Sequence, residues 1–150
     1  MARLLYEIKD GIGWIRFNRP EVLNAFDPEE ARRLVQVLKE ASDDKAVKAI
    51  IIGSVGDAFC AGDDLKVALE EYPLIKSGEI HPILDIVEDI TQSLQDIPRI
   101  IRSAPKIIIA AVRGYAVGGG FEIAIDSDLI VAAQNAIFGF PEVTAGMTIT

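Results

Sequence analysis

The hydrophobic pattern begins with two short strand-like runs, Leu4 to Lys9 and Ile12 to Phe17. Asp10-Gly11 separates them, a dipeptide that favours the two-residue turn of a β-hairpin. Asn18-Arg19-Pro20 ends the second run, because proline cannot donate to a strand ladder. The period then becomes helical. Asp27-Pro28-Glu29-Glu30 offers an N-cap, a proline at the first helical position and a glutamate at the third. Ala31, Leu34, Val35, Leu38 and Ala41 follow on one face, and Ser42-Asp43-Asp44 closes the helix. Val47 to Ile52 predicts a buried strand, followed by a loop from Gly53 to Asp64. Leu65 to Glu71 predicts a short helix, and Pro73 to Gly78 an irregular, mobile stretch. Ile83, Ile86, Val87, Ile90, Leu94 and Ile97 return to helical spacing, with Pro98 expected to kink or end that helix. After Pro105, the run Ile107 to Val112 is too short for a helix and rich in Ile, so it reads as a buried strand. Leu129 to Ala133 and Ile137 to Phe140 predict two more. Alternating strands and helices predict an α/β fold with parallel strands and right-handed crossovers.

The Ile107–Val112 run leads into Arg113-Gly114-Tyr115-Ala116-Val117-Gly118-Gly119-Gly120-Phe121-Glu122. Three glycines at a helix start leave N–H groups uncovered at the positive end of the helix dipole, where they can meet developing negative charge. Glu122 sets a carboxylate beside them, which suits chemistry that moves protons. The plain alternative is a tight strand-to-helix turn. In an α/β sheet, ligands lie beyond the carboxyl ends of the strands. Ala61-Gly62, in the loop after Val47–Ile52, would emerge on the same side as Gly118-Gly119, giving two candidate pairs of backbone donors for one carbonyl oxygen. Glu142 is a second carboxylate, in the apolar, proline-fixed stretch Gly139-Phe140-Pro141-Glu142-Val143, where a solvated loop residue is the bland reading.

Composition narrows the classes. The chain has 150 residues, 50% hydrophobic and 25% charged, enough for one domain with a real core. Its net charge of −8 and lack of a basic stripe argue against nucleic acid as a partner. Cys60 is the only cysteine, so no disulfide forms within the chain. The N-terminus lacks a signal-peptide shape, and no apolar run approaches the roughly 18 residues of a membrane span. A cytoplasmic protein away from membranes is expected. A single histidine, His81, and no Gly-x-Ser-x-Gly exclude a hydrolase triad, and His81 reads as a surface or capping residue. No zinc-ligand spacing is present, and metal is not expected. Cys60 reads as a small packing residue, and Asp64 as a helix cap rather than a cation ligand. Arg16, Arg19 and Lys66 read as solvated surface cations, with phosphate contact as the alternative. Trp14 and Phe17 read as packing on opposite faces of one strand.

Four motifs occur in order. They are Asn18-Arg19-Pro20-Glu21-Val22-Leu23-Asn24-Ala25-Phe26, Ala58-Phe59-Cys60-Ala61-Gly62-Asp63-Asp64-Leu65, the stretch from Ala110 to Glu122, and Phe138-Gly139-Phe140-Pro141-Glu142-Val143. With these the chain resembles the crotonase superfamily, the enoyl-CoA hydratase/isomerase family, over nearly its whole length. The resemblance implies a crotonase-like fold of repeated β-β-α units and an acyl-coenzyme A thioester as substrate, with no separate cofactor. It implies an oxyanion hole from the Ala61 and Gly119 N–H groups, and substrate contacts from Ala61, Gly62, Asp63, Asp64, Leu65, Gly118, Gly119 and Pro141. It also implies catalysis by Glu122 and Glu142, the two glutamates that add water across an enoyl double bond in hydratase members. Keeping both tilts the expectation towards hydration. Isomerisation, thioester hydrolysis, carbon–carbon cleavage and a non-catalytic acyl-CoA-binding or assembly module are the alternatives.

Several positions depart from the pattern. Asp63 replaces a common small residue, Arg113 a usual Asn, and Ile107 a frequent Pro. Ala145-Gly146-Met147-Thr148-Ile149-Thr150 lacks the proline and glycine that typically follow Pro-Glu. Family members are also longer, with C-terminal helices that close the site and build trimers or hexamers. Residues 1–150 are thus expected to be the N-terminal core of a crotonase-like homo-oligomer, its C-terminal helical part absent.

Overall fold

The computed structural model describes residues 2–64 and 95–141. Strands β1 (Leu4–Lys9) and β2 (Ile12–Phe17) form the expected hairpin, with Lys9 opposite Ile12. Asp10 and Gly11 both adopt positive φ, 53° and 78°, the backbone that a two-residue turn matched to strand twist requires. A single 3-10 turn, Pro20–Val22, follows, and then helix α1 (Pro28–Asp43). Asp27 caps α1 by accepting the Glu30 N–H at 2.9 Å. The reciprocal half of the capping box is absent: Glu30 turns inward, and neither of its oxygens has a hydrogen-bond partner.

Helix α1 carries the chain over to β3 (Ala49–Ser54), which pairs parallel with β2. β3 starts and ends two residues later than its hydrophobic run suggests. Gly53 and Ser54 extend the ladder opposite Arg16 and Phe17, while Val47 closes a turn onto the Asp44 carbonyl. Residues 95–103 are helical and form α2. This helix runs on through Pro98, so the proline does not end it; Ile97 and Ile101 hold it to the core. The remaining elements are β4 (Ile107–Val112), β5 (Tyr115–Val117), α3 (Gly119–Asp126), β6 (Leu129–Ala132) and β7 (Ile137–Gly139). The predicted helix at 65–71, the irregular stretch at 73–78, most of the helix ending at Ile97, and His81 lie outside the described residues.

The main sheet has the order β1-β2-β3-β4-β6, parallel from β2 onwards. Alternation turns Ile15 and Phe17, Ile50 and Ile52, and Ile108, Ala110 and Val112 to one face. There they meet Leu34, Val37, Leu38 and Ala41 of α1. Val37, rather than the expected Val35, is fully buried, because the sheet surface selects which flank of the helical stripe it covers. Phe17 packs edge-on against Phe59, and Trp14 lies half-buried on the opposite face. A second, smaller layer pairs β5 with β7, and bridges Cys60–Ala116 and Phe26–Asp63 extend it across the loop. That small layer is where the expected site residues meet.

Candidate functional site

The strand-to-helix turn after β5 carries three glycines with three separate tasks. Gly118 caps α3 at φ 56°, a backbone that strains other residues, and donates its N–H to the Gly139 carbonyl at 3.0 Å. Gly119 faces the Phe26 ring, 2.8 Å from where a Cβ would stand. Gly120 presses on Cys60, whose Cβ would lie 2.7 Å from an added methyl. Among the described residues, the Gly119 N–H has no acceptor. It lies at the first turn of α3, where the dipole favours negative charge. Glu122 stands in that same turn, half-buried, and shares a cavity of about 10 Å³ with Phe26, Ile97, Pro98, Gly119 and Ile123. That is room for about one water molecule.

The segment from Cys60 to Asp64 lies between β5 and the Leu23–Phe26 stretch. On one side, Cys60 donates to Tyr115 and receives from Val117. On the other, Ala61 donates to the Leu23 carbonyl at 3.1 Å, Phe26 to Gly62 at 3.0 Å, and Asp64 to Phe26 at 2.9 Å. The Ala61 N–H, expected as an oxyanion donor, is therefore engaged by Leu23 in this structure. The Gly62 N–H is engaged too, by Cys60 Sγ at 3.3 Å. The bonds to Phe26 flank Asp63, so alternation turns the Asp63 N–H away from Phe26, towards the side on which β5 lies. Gly62 touches that turn closely: a Cβ here would stand 3.1 Å from the Val117 carbonyl and 3.4 Å from the Gly119 nitrogen. The fold thus brings the Ala61–Asp64 motif and the Gly118–Glu122 motif together, as expected. Pro141 lies at the end of the described chain, two residues after β7; Leu65 and Glu142 lie outside it.

Other expectations change. Arg19 is not a surface cation. Its side chain is 12% exposed, and Nη1 donates to the Ala25 carbonyl and Nη2 to Asp64 Oδ2, both at 2.9 Å. Asp27 and Glu30 lie 3.9 and 3.6 Å from the same guanidinium. The Asp64 carboxylate is accordingly directed to Arg19. Arg16 pairs with Glu7, Arg113 donates to the Ser54 carbonyl at 3.0 Å, and Lys66 lies outside the described residues. Cys60 is the packing residue expected of it, buried, with its thiol pushed well above the usual range by desolvation. No cluster able to hold a metal occurs among the described residues.

Asn24 was not legible as a site builder. It is fully buried with φ 56°; its Oδ1 accepts from the Arg19 N–H, and its Nδ2 donates to Val55 and Ala58. Its one sequence signal is that Asn tolerates the left-handed region, as a tight Leu-Asn turn requires.

The Enoyl-CoA hydratase/isomerase family model matches residues 7–149. The chain is also similar to three solved structures. An enoyl-CoA hydratase/isomerase from Xanthobacter autotrophicus is 34% identical, covering 99% of this chain and 52% of that one, at a TM-score of 0.83. A crotonase-type protein from Legionella pneumophila is 32% identical, covering 98% and 54%, at 0.86. Enoyl-CoA hydratase subunit I from Geobacillus kaustophilus is 31% identical, covering 99% and 53%, at 0.81. The chain spans about half the length of each. No helix among the described residues is long and apolar enough to cross a membrane. With a largely parallel α/β sheet, the two motifs facing each other and a family match that runs nearly end to end, the chain belongs to the enoyl-CoA hydratase/isomerase family.

Proposed function

We propose that this site serves hydration of the 2,3 double bond of an enoyl-CoA thioester. The observation that carries the reading is the Gly119 N–H at the start of α3, which has no acceptor among the described residues, with Gly62 against it and Glu122 in the same helical turn. The thioester oxygen takes the place of the missing acceptor. Its second donor comes from the Ala61–Asp63 segment. Alternation favours the Asp63 N–H, and Ala61 serves only once its bond to Leu23 opens. Fixed dipoles aimed at that oxygen stabilise the enolate without reorganising, and one such donor contributes about 2.7–4 kcal/mol. Water then adds its oxygen to the β-carbon, and the π electrons move through the α-carbon to the carbonyl oxygen. One glutamate of the pair Glu122 and Glu142 takes the water's proton, and the other, protonated beforehand, gives its proton to the α-carbon as the enolate collapses. Coenzyme A enters as part of the substrate, Asp64, Leu65, Gly118 and Pro141 line its path, and the working assembly is a cytoplasmic homo-oligomer.

The test is the loss of conjugated-thioester absorbance of crotonyl-CoA, with Glu122→Gln and Glu142→Gln beside the parent. Both variants are expected to lose about 10²-fold or more of the rate. A folded parent that binds the thioester and leaves the absorbance unchanged sinks the hydratase reading. Activity on a shifted double bond that survives Glu122→Gln but not Glu142→Gln favours isomerisation. An acyl-CoA-binding module without turnover would instead show thermal stabilisation by the thioester that neither substitution changes.

A further inference from the structure

Arg19 lies in the first motif, yet neither a surface role nor hydration chemistry accounts for its burial. The Leu23–Phe26 stretch makes three backbone bonds to the outer side of the Ala61–Asp64 segment, through Ala61, Gly62 and Asp64. It also sets Phe26 against Gly119. Two adjacent left-handed residues, Leu23 and Asn24 at φ 54° and 56°, shape that stretch, and leucine pays a steric penalty there. Something must hold it. Asn24 ties it to Val55 and Ala58, and Arg19 ties Ala25 directly to Asp64.

We propose that Arg19 is a positioning residue: by gripping the Ala25 carbonyl and the Asp64 carboxylate at once, its guanidinium sets where the Ala61–Asp64 amides stand relative to the Gly119 amide. The role in turnover rests on the function proposed above, while the positional claim does not. The planar fork of arginine reaches two acceptors in fixed directions, whereas the ammonium of lysine has three rotatable donors on one nitrogen and imposes no such spacing. Arg19→Lys therefore keeps the charge among Asp27, Glu30 and Asp64 but loses the geometry.

Amide hydrogen exchange on the full chain tests the position without requiring turnover. In Arg19→Lys, the Ala61 and Asp64 amides are expected to exchange at least about 10-fold faster, while Cys60, bonded to Tyr115 on the other side, keeps its rate. Asp64→Ala should reproduce that local pattern, and decides the matter if Arg19→Lys does not fold. Uniform acceleration of all three amides, or no acceleration, overturns the proposal. In the crotonyl-CoA assay, Arg19→Lys should retain parent-like stability but lose up to about 10²-fold in kcat, the effect of a donor displaced by roughly 1 Å. Full retention of kcat by Arg19→Lys overturns the catalytic part. Should the parent not hydrate the thioester, the function proposed above fails, and the exchange pattern still decides whether Arg19 positions the segment.

Discussion

Glu30 makes a prediction that needs no substrate. Its residue is 2% exposed, and both carboxylate oxygens lack hydrogen-bond partners. Burial raises its pKa from 4.5 to about 7; Arg19 and Arg3 pull it down, and Asp27 pushes it further up. The folded state thus holds this proton more tightly than the unfolded chain does. The stability contributed by the proton is fully present below pH 4.5 and is lost as pH rises through about 7. The two values differ by about 2.5, which at about 1.36 kcal/mol for each is on the order of 3 kcal/mol in full. Between about pH 5 and pH 8, where part of the loss has already occurred at the lower end, it comes to roughly 2–3 kcal/mol. Glu30→Gln keeps the shape and removes the titration. Urea unfolding of both proteins across that range should show the variant gaining on the parent by about that amount, with equal m-values. Parallel curves for the two proteins would refute the reasoning, because Glu30 would then ionise as easily inside the fold as outside it.

Gly120→Ala should destabilise the chain by about 3 kcal/mol or more in the same urea assay, because the added methyl meets the Cys60 Cβ and backbone rather than a flexible side chain end. On the hydratase function proposed above, the same variant should turn over crotonyl-CoA more slowly than the parent even well below its melting temperature, since relief of the clash moves Cys60–Asp64 away from Gly119. Leu34→Ala, deep between α1 and the sheet, should cost about 2–5 kcal/mol in urea unfolding and leave the Ala61 and Asp64 exchange pattern intact below the transition. Asp27→Ala removes the α1 cap and the ion pair with Arg3 together; Asp27→Asn keeps a capping oxygen. Thermal melts should therefore rank parent above Asn above Ala, with the capping difference near 1 kcal/mol.

Much of the fold was legible because its signals are local. Asp10-Gly11 specifies its turn through the φ angles those two residues tolerate, and the Asp27 cap reaches only to Glu30. The Ile107–Val112 strand keeps both expected ends, since Pro105 precedes it and Gly114 interrupts the ladder just beyond Val112. The glycines of the third motif pointed to a tight strand-to-helix turn with uncovered amides, and the fourfold order of motifs pointed to the family. What the sequence could not decide is every question about direction. Whether an amide faces a substrate or a neighbouring carbonyl depends on the strand beside it, and for Ala61 that neighbour is Leu23, 38 positions earlier (61 − 23). Arg19 looks like any charged residue in a loop until Ala25 of its own motif, Glu30 of α1 and Asp64 of the second motif close around it. Val37 is fully buried where Val35 only packs against the edge of the core for the same reason, as the sheet chooses one flank of a stripe that helical periodicity leaves symmetric. Local chemistry sets which elements form and where they turn; contacts between distant segments set which groups those elements leave open for chemistry.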